Sequence, residues 1–165
     1  MSTAPRPDPV APADDEARAL ARRLLADARH AALAVLEPGS GAPFVSRIAF
    51  GLGPGGRPAT LISALALHTA ALRADPRCCL LVGEPGARGD PLTHPRLSLR
   101  ATAGFLAADD PGRPALRDRW LADHPKARLY ADFADFAFVV FTPVSAALNG
   151  GFARAYALTA ADLAP

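Results

Sequence analysis

The chain has 165 residues, half of them hydrophobic, and a formal net charge of +2. This length suits one domain with its own core, and the composition excludes a disordered polymer. Because the basic residues are scattered, we expect no nucleic-acid partner, which would need a clustered basic face.

The first third of the chain predicts a tail, a helix and several strands. Residues 1–12 are rich in Pro and Ala without periodicity, which predicts a flexible tail before a single domain at 13–165. The segment DDEARALARRLLADARH predicts a helix with Asp14 or Asp15 as its cap. The apolar runs AALAVLE, PFVSRIAFGL and ATLISA follow between Gly/Pro turns and predict a meander of strands.

The rest of the chain adds two helices and further strands. Residues 69–75 predict a short helix, and RCCLLVGE and RLSLRATAGFLAAD predict strands, the second with a bulge at Gly104. DDPGRPALRDRWLADHP predicts a helix whose Leu116, Trp120 and Leu121 point inward. FAFVVFTPVSAALN and FARAYAL predict the last strands. The whole pattern favours a mainly β fold with flanking helices, in which six or seven antiparallel strands form a small barrel.

No apolar run approaches the roughly 18 residues of a membrane span. The N-terminus lacks the basic and apolar layout of a signal peptide. We therefore expect a cytoplasmic protein without a membrane partner.

The adjacent cysteines Cys78 and Cys79 fall within a predicted strand. Neighbouring strand residues point to opposite faces, so a disulfide between them would be strained. We interpret both as small buried apolar residues. The four histidines show no metal-ligand spacing, and we expect no metal site.

Two features together describe a pocket for a phosphate group. Arg47, in the middle of a predicted strand, points to solvent or clamps an anion with its guanidinium fork. Ser63, His68 and Thr69 lie at the start of the short helix, where free N–H groups favour an anion, although capping explains them equally well. No pair of side chains forms an evident general acid and base, so we expect a bound organic cofactor to carry any chemistry.

Two later arginines are weaker candidates for ligand contacts. Arg96 opens a strand, where it either ends that strand as a polar residue or reaches a ligand. Arg154 follows the bend Asn149-Gly-Gly, and a hairpin turn explains the glycines but not the arginine.

The order of segments from GAPFVSRIAF to RLSLRATA, followed by HPKARLYADFADFAFVVFTPVSAALNGGFARAY, resembles the pyridoxamine 5'-phosphate oxidase-like FMN-binding split-barrel family. It is most similar to the branch related to haem-utilisation proteins, over about Ala17 to Leu158. The resemblance implies an antiparallel split barrel that binds FMN and forms a homodimer with cofactor sites at the subunit interface. It further implies an oxidoreductase whose substrate is not assigned.

The resemblance also implies which residues hold the cofactor. Arg47 would bind the phosphate, and the rest of the same-subunit site would be Ile48, Ala49, Ser63, Leu67, His68 and Thr69. Arg96, Asn149 and Arg154 would reach the flavin across the dimer. His68 and Thr69 stand where the oxidase itself carries arginine and lysine, which leaves the phosphate less compensated.

Three alternatives remain open. A haem-binding or haem-degrading protein on the same barrel would use His68, His94 or His124 as the iron ligand. A non-catalytic dimeric module would carry or sense a flavin without turning over a substrate. A third variant replaces FMN with the deazaflavin cofactor F420.

Overall fold

The computed structural model describes residues 10–151 and 154–164. Within these ranges the strands are β1 (Val10–Pro12), β2 (His30–Leu36), β3 (Pro43–Ala49), β4 (Gly51–Leu52), β5 (Pro58–Ser63), β6 (Arg77–Val82), β7 (Arg96–Phe105), β8 (Phe136–Asn149) and β9 (Ala155–Thr159). The α-helices are α1 (Asp15–Asp27), α2 (Leu67–Ala74) and α3 (Arg113–Asp123). Short 3-10 turns occupy Pro54–Gly56, Pro91–Thr93, Pro125–Leu129 and Ala161–Leu163.

The strands form one mixed sheet that does not close into a complete barrel. Its order is β1-β9-β8-β7-β6-β2-β3, while β5 pairs with both β4 and β8. The long strand β8 pairs with β5 along its first half and with β9 along its second half, which splits the barrel. The predicted mainly β split-barrel fold is confirmed. The strand number is higher than predicted, because β1 and β4 are too short to show a periodic pattern.

The strand β1 lies at the end of the segment that the sequence predicts as a tail. Residues Val10–Pro12 pair with residues 155–157 of β9 in parallel, whereas the other paired strands of the described sheet are antiparallel. The first nine residues lie outside the described part of the chain. The domain therefore takes in at least the last three residues of the predicted tail.

Helix α1 covers one side of the sheet. The Asp14 carboxylate accepts a hydrogen bond from the Ala17 N–H at 2.7 Å, so Asp14 is its cap, as predicted. Ala17, Ala21 and Leu25 recur every four residues and are buried in the main core. The helix ends at Asp27, earlier than predicted, because the next residues are extended and lead into β2.

Helix α3 covers a second, smaller core that it forms with β5 and the first half of β8. Leu116, Trp120 and Leu121 are buried on its inner side, as predicted. The rings of Trp120 and Phe138 meet edge to face with their centroids 6.0 Å apart. This contact anchors the helix on the first half of β8.

The bulge in the β7–β8 pair lies at a different place from the one predicted. The register shifts between Arg100 and Ala101, opposite Pro143 and the extra residue Val144. Gly104 pairs regularly with its partner in β8, so the prediction of a bulge there is wrong. Proline lacks the N–H that a regular ladder needs, and this places the irregularity beside Pro143.

Candidate functional site

Ser46 and Arg47 point to opposite faces of β3. Burial alternates along this strand, with Phe44, Ser46 and Ile48 turned inward and Arg47 exposed. The Ser46 hydroxyl lies 3.0 Å from Nδ1 of His68, in the first turn of α2. Arg47 forms no hydrogen bond or ion pair with any residue in the described ranges. The residue that β3 presents to the start of α2 is therefore Ser46, and the expected approach of Arg47 to this helix is not seen.

A carboxylate lies against the turn that precedes α2. The Ser63 hydroxyl donates to Oδ2 of Asp135 at 3.2 Å and accepts from the Leu65 N–H at 3.2 Å. The Asp135 carbonyl also accepts from the Ala64 N–H at 2.6 Å. Asp135 thus holds this turn through both its side chain and its backbone. Asp135 was not among the predicted site residues, because 72 positions separate it from Ser63 along the chain.

The Thr69 hydroxyl is used inside the protein. It donates to the Ser63 carbonyl at 2.7 Å, and the residue is only 1% exposed. Leu67, in contrast, is exposed. No acceptor among the described residues takes the N–H of Leu67 or of His68. The turn before α2 is therefore stabilised by its own hydroxyls, and only backbone donors remain free at the helix start.

His68 adds little positive charge to this turn. Burial lowers the pKa of its imidazole, so the ring is neutral near pH 7. The Ser63 and Thr69 hydroxyls already donate within the protein, and Asp135 adds a carboxylate to the turn. The main donors left for a ligand are therefore the backbone N–H groups of Leu67 and His68. The turn therefore fits the dianionic phosphate of FMN poorly.

Ile48 and Ala49 contribute to packing and to hydrogen bonding inside the protein. Ile48 is buried in the main core. The Ala49 carbonyl accepts from the buried Thr60 hydroxyl at 2.6 Å. Of the predicted same-subunit residues, the structure brings together Ser63, Leu67, His68 and Thr69 around α2, and it places Arg47 on the other face of β3.

The three residues expected to reach across a dimer lie near one another at one end of the sheet. Arg96 and Asn149 pair across β7 and β8. The Arg96 guanidinium donates to the Leu92 carbonyl at 3.0 Å, and the Asn149 side chain accepts from a backbone N–H at 3.1 Å. Arg154 forms an ion pair with Glu16 at 3.2 Å. All three therefore already have partners in their own chain.

The outer face of the sheet carries rows of directly opposed residues from five strands. One row is Val45, Ala34, Cys79, Arg100 and Ser145, and the next is Arg47, Ala32, Leu81, Ser98 and Ala147. Most of these residues are small or apolar. Each row contains one arginine, Arg100 on β7 in the first row and Arg47 on β3 in the second. This surface, which we call the outer face, was not predicted, because strand register depends on distant pairings.

A groove of about 560 Å³ crosses the outer face. Its volume falls in the range typical of small-molecule sites. The bulged Val144 forms part of its wall. The residues that line it include Leu36, Pro43, Arg77, Cys79, Arg100 and Val144.

The two arginines of the groove differ in how firmly they are held. Arg77 binds Asp75 through two nitrogens, at 2.9 and 2.6 Å, and these bonds lower the pKa of Asp75 to about 2. Arg100 donates only a long bond of 3.4 Å to the Ser145 hydroxyl. Arg100 is therefore the cation that is freer to meet a ligand.

The cysteines are both reduced and half-buried. Burial raises the pKa of Cys78 to about 12, and its thiol donates to the Ala101 carbonyl at 3.5 Å. Burial also raises the pKa of Cys79, although the nearby Arg100 charge works in the opposite direction. Both thiols are therefore protonated near pH 7.

Within residues 10–151 and 154–164, no cluster of three or more His, Cys, Asp or Glu side chains is arranged to hold a metal ion. Over the same ranges, no helix combines the length and the apolar character needed to cross a bilayer.

The chain is similar to proteins from plants and bacteria. It is 35% identical over 117 residues to the chloroplastic heme oxygenase HOZ of Arabidopsis thaliana, which covers 70% of this chain and 34% of that protein. A solved structure of a heme-binding protein from Mycobacterium smegmatis is 28% identical, with a TM-score of 0.80, and covers 97% of this chain and 61% of that one. The protein Atu2129 from Agrobacterium tumefaciens is 33% identical, with a TM-score of 0.81, and covers 93% of this chain and 62% of that one.

The present chain thus spans about a third of the plant protein and about three-fifths of the two bacterial proteins. The family model described as pyridoxamine 5'-phosphate oxidase matches residues 17–149, which is most of the chain. The match includes all but the first two residues of α1, the helices α2 and α3, and strands β2 to β8. The split-barrel sheet found here agrees with that match, and the chain belongs to the pyridoxamine 5'-phosphate oxidase family.

Proposed function

We propose that this protein binds haem in the groove on the outer face. The observation that carries the proposal is the groove itself, which is about 560 Å³ in volume and combines an apolar wall with two arginines. Haem is a flat apolar ring with two carboxylates on one edge, and such a wall suits the ring. The descriptions of the Arabidopsis and Mycobacterium relatives as heme proteins support the same choice.

The arginines suit the two carboxylates of haem. Arg77 lies opposite Thr102 in the β6–β7 pair, and Arg100 lies opposite Cys79. The two arginines are thus diagonal neighbours on adjacent strands, where side chains are roughly 7–8 Å apart. Arginine binds carboxylates through charge-assisted hydrogen bonds. Arg100 is the stronger candidate, because Arg77 is already shared with Asp75.

The fit concerns the ring and its carboxylates rather than the iron. None of the four histidines lines the groove. His68, His94 and His124 contact Ser46, the Arg88 carbonyl and the Phe50 carbonyl respectively. The positions of these histidines therefore do not support the alternative in which one of them is the iron ligand. We propose instead that haem binds through the groove.

We also propose that a second copy of the chain covers the outer face, so that the protein is a homodimer. Val45, Leu81 and Val144 are exposed on this face although they are large and apolar. Ala32, Ala34 and Cys79 lie between Val45 and Leu81 on this face, and together they form an apolar patch of the kind that marks interaction surfaces. A partner sheet placed there would close the open side of the groove.

An FMN-dependent oxidoreductase is the competing proposal. It is favoured by membership of the family and by Arg47, whose guanidinium has no partner among the described residues. It is disfavoured by the poor fit of the turn before α2 to a phosphate.

An absorption titration of the purified protein with haem and, separately, with FMN distinguishes the two proposals. Haem binding in the groove predicts a saturable shift of the Soret band and little or no retained flavin. A protein that purifies with flavin bands, or that leaves the Soret band unchanged at saturating haem, would contradict the haem proposal.

A further inference from the structure

The groove on the outer face contains two sulfur atoms of a kind that binds iron. Haem iron is held in proteins by histidine, cysteine, methionine or tyrosine side chains. Among the described residues that line the groove, none is a histidine, a methionine or a tyrosine, whereas Cys78 and Cys79 both line it. For haem in this groove, the iron ligand that the described lining offers is therefore one of these two cysteines.

Cys78 is already used inside the protein. Neighbouring residues of a strand point to opposite faces, so the two cysteine side chains of β6 are directed differently. Cys78 packs against the main core, and its thiol donates to the Ala101 carbonyl at 3.5 Å. Burial raises the pKa of Cys78 to about 12, which disfavours the thiolate that binds metals. Cys78 is thus the poorer ligand of the two.

Cys79 has surroundings that suit a metal-bound thiolate. It stands in a row of the outer face between Ala34 and Arg100, and the small side chain of Ala34 leaves space beside the sulfur. Its thiol donates to no acceptor within residues 10–151 and 154–164. The Arg100 charge and the Leu80 N–H both favour the anionic form and oppose the effect of burial on the pKa of Cys79. Its sulfur is therefore free to bind a metal and has positive charge nearby.

The position of Arg100 fits a haem whose iron lies over Cys79. Strand β7 lies between β6 and β8, and the Arg100 side chain reaches from β7 to Ser145 on β8. Neighbouring strands are about 4.8 Å apart, so roughly 10 Å separates Cys79 on β6 from β8. The iron is at the centre of the haem ring and the carboxylates are at one edge. A ring centred over Cys79 therefore has its carboxylate edge toward Arg100 and its apolar edge toward Leu36 and Pro43, which line the groove.

We infer that Cys79 is the axial ligand of the iron when haem occupies the groove, an inference that rests on the proposed haem function. The Cys79 sulfur bonds to ferric iron and its proton passes to solvent, because a thiol that coordinates a metal is deprotonated. The iron stays ferric, so the step needs no oxidant or reductant.

The test uses the spectra of the ferric haem complex, in which electron paramagnetic resonance and magnetic circular dichroism distinguish a thiolate from a nitrogen or oxygen ligand. The wild type and Cys78→Ser should both show the thiolate signature. Cys79→Ser should lose it while haem still shifts the Soret band, because the arginines and the apolar wall remain. The two variants each remove one thiol from the same strand, so Cys78→Ser is the matched control.

Two results would overturn the inference and leave haem binding intact. One is a wild-type protein that shifts the Soret band but shows no thiolate signature, and the other is a Cys79→Ser variant that keeps the signature. A wild-type protein whose Soret band does not respond to haem would overturn the haem proposal itself, and the inference with it. If circular dichroism shows that Cys79→Ser does not fold, Cys79→Ala takes its place with the same expectation.

Discussion

The Ser46 hydroxyl and Nδ1 of His68 lie 3.0 Å apart, and this contact links strand β3 to the first turn of α2. It shows that the inward side of β3 carries the contact with the helix. The outward side, which includes Arg47, belongs to a different surface. Arg47 and the turn before α2, which together formed the predicted phosphate pocket, therefore lie on opposite sides of β3.

The stability of the protein should depend on pH through His68. Burial lowers the pKa of His68 in the folded state below the usual 6.5. The unfolded chain then binds more protons than the folded one as the pH falls. The free energy of unfolding is therefore highest above about pH 6.5 and decreases as the pH falls through the folded pKa. Urea unfolding at a series of pH values measures this, and His68→Gln, which cannot titrate, should flatten the profile.

Trp120, the single tryptophan of the chain, should report the protonation of His124. The two rings stack with centroids 4.2 Å apart, and Nε2 of His124 lies 2.9 Å from the Phe50 carbonyl. Burial is the main cause that lowers the pKa of His124. We expect tryptophan fluorescence to change with a midpoint below about pH 6.5, as the neighbouring imidazolium forms. His124→Gln should remove the transition, and a transition that survives would show that another group causes it.

Thr69 should contribute to stability rather than to cofactor binding. Its buried hydroxyl donates to the Ser63 carbonyl at 2.7 Å. Thr69→Val keeps the shape and removes this donor, while the carbonyl still accepts from the Ala66 N–H at 3.2 Å. The loss of one hydrogen bond should lower the free energy of unfolding by about 0.5–1.5 kcal/mol. Thr93→Val is the matched control, because the Thr93 hydroxyl makes a similar bond of 2.8 Å to the Asp90 carbonyl in an exposed turn. A stable Thr69→Val protein with reduced FMN affinity would instead favour the phosphate role.

Cys79 should react with thiol reagents before Cys78 does. Both cysteines line the groove. Cys78 has a pKa raised to about 12 and is bonded to the Ala101 carbonyl, whereas the Arg100 charge opposes the effect of burial on the pKa of Cys79. Since the thiolate is the reactive form, both cysteines should react slowly, and Cys79→Ser should remove the faster phase. Haem should slow that phase in the wild type. Equal labelling with and without saturating haem would place the haem elsewhere.

Local sequence patterns predicted the elements of this fold because they depend on neighbouring residues. The cap at Asp14 and the inner side of α3 follow from spacing within one helix. Because neighbouring residues of a strand point to opposite faces, the segment FVSRIAF by itself places Ser46 and Arg47 on opposite faces. The alternation does not show which face of β3 is covered by α2. That choice decides whether Ser46 or Arg47 contacts the helix.

The residues missed by the sequence are those that distant pairings bring together. Asp135 meets Ser63 only because β5 pairs with β8, and the groove forms only because five strands align in one register. The bulge at Val144 lies beside Pro143 in β8, whereas the prediction placed a bulge at Gly104 in β7. In each case the deciding residue lies dozens of positions away along the chain.

Arg100 provides the most direct test of haem binding in the groove. The measurement is the haem dissociation constant from Soret titrations of the wild type, Arg100→Gln and the control Arg23→Gln, which removes an exposed arginine on α1. Loss of a charge-assisted bond to a haem carboxylate predicts a decrease in affinity of roughly tenfold to a hundredfold for Arg100→Gln and no change for the control. Equal affinity in all three proteins would contradict the account.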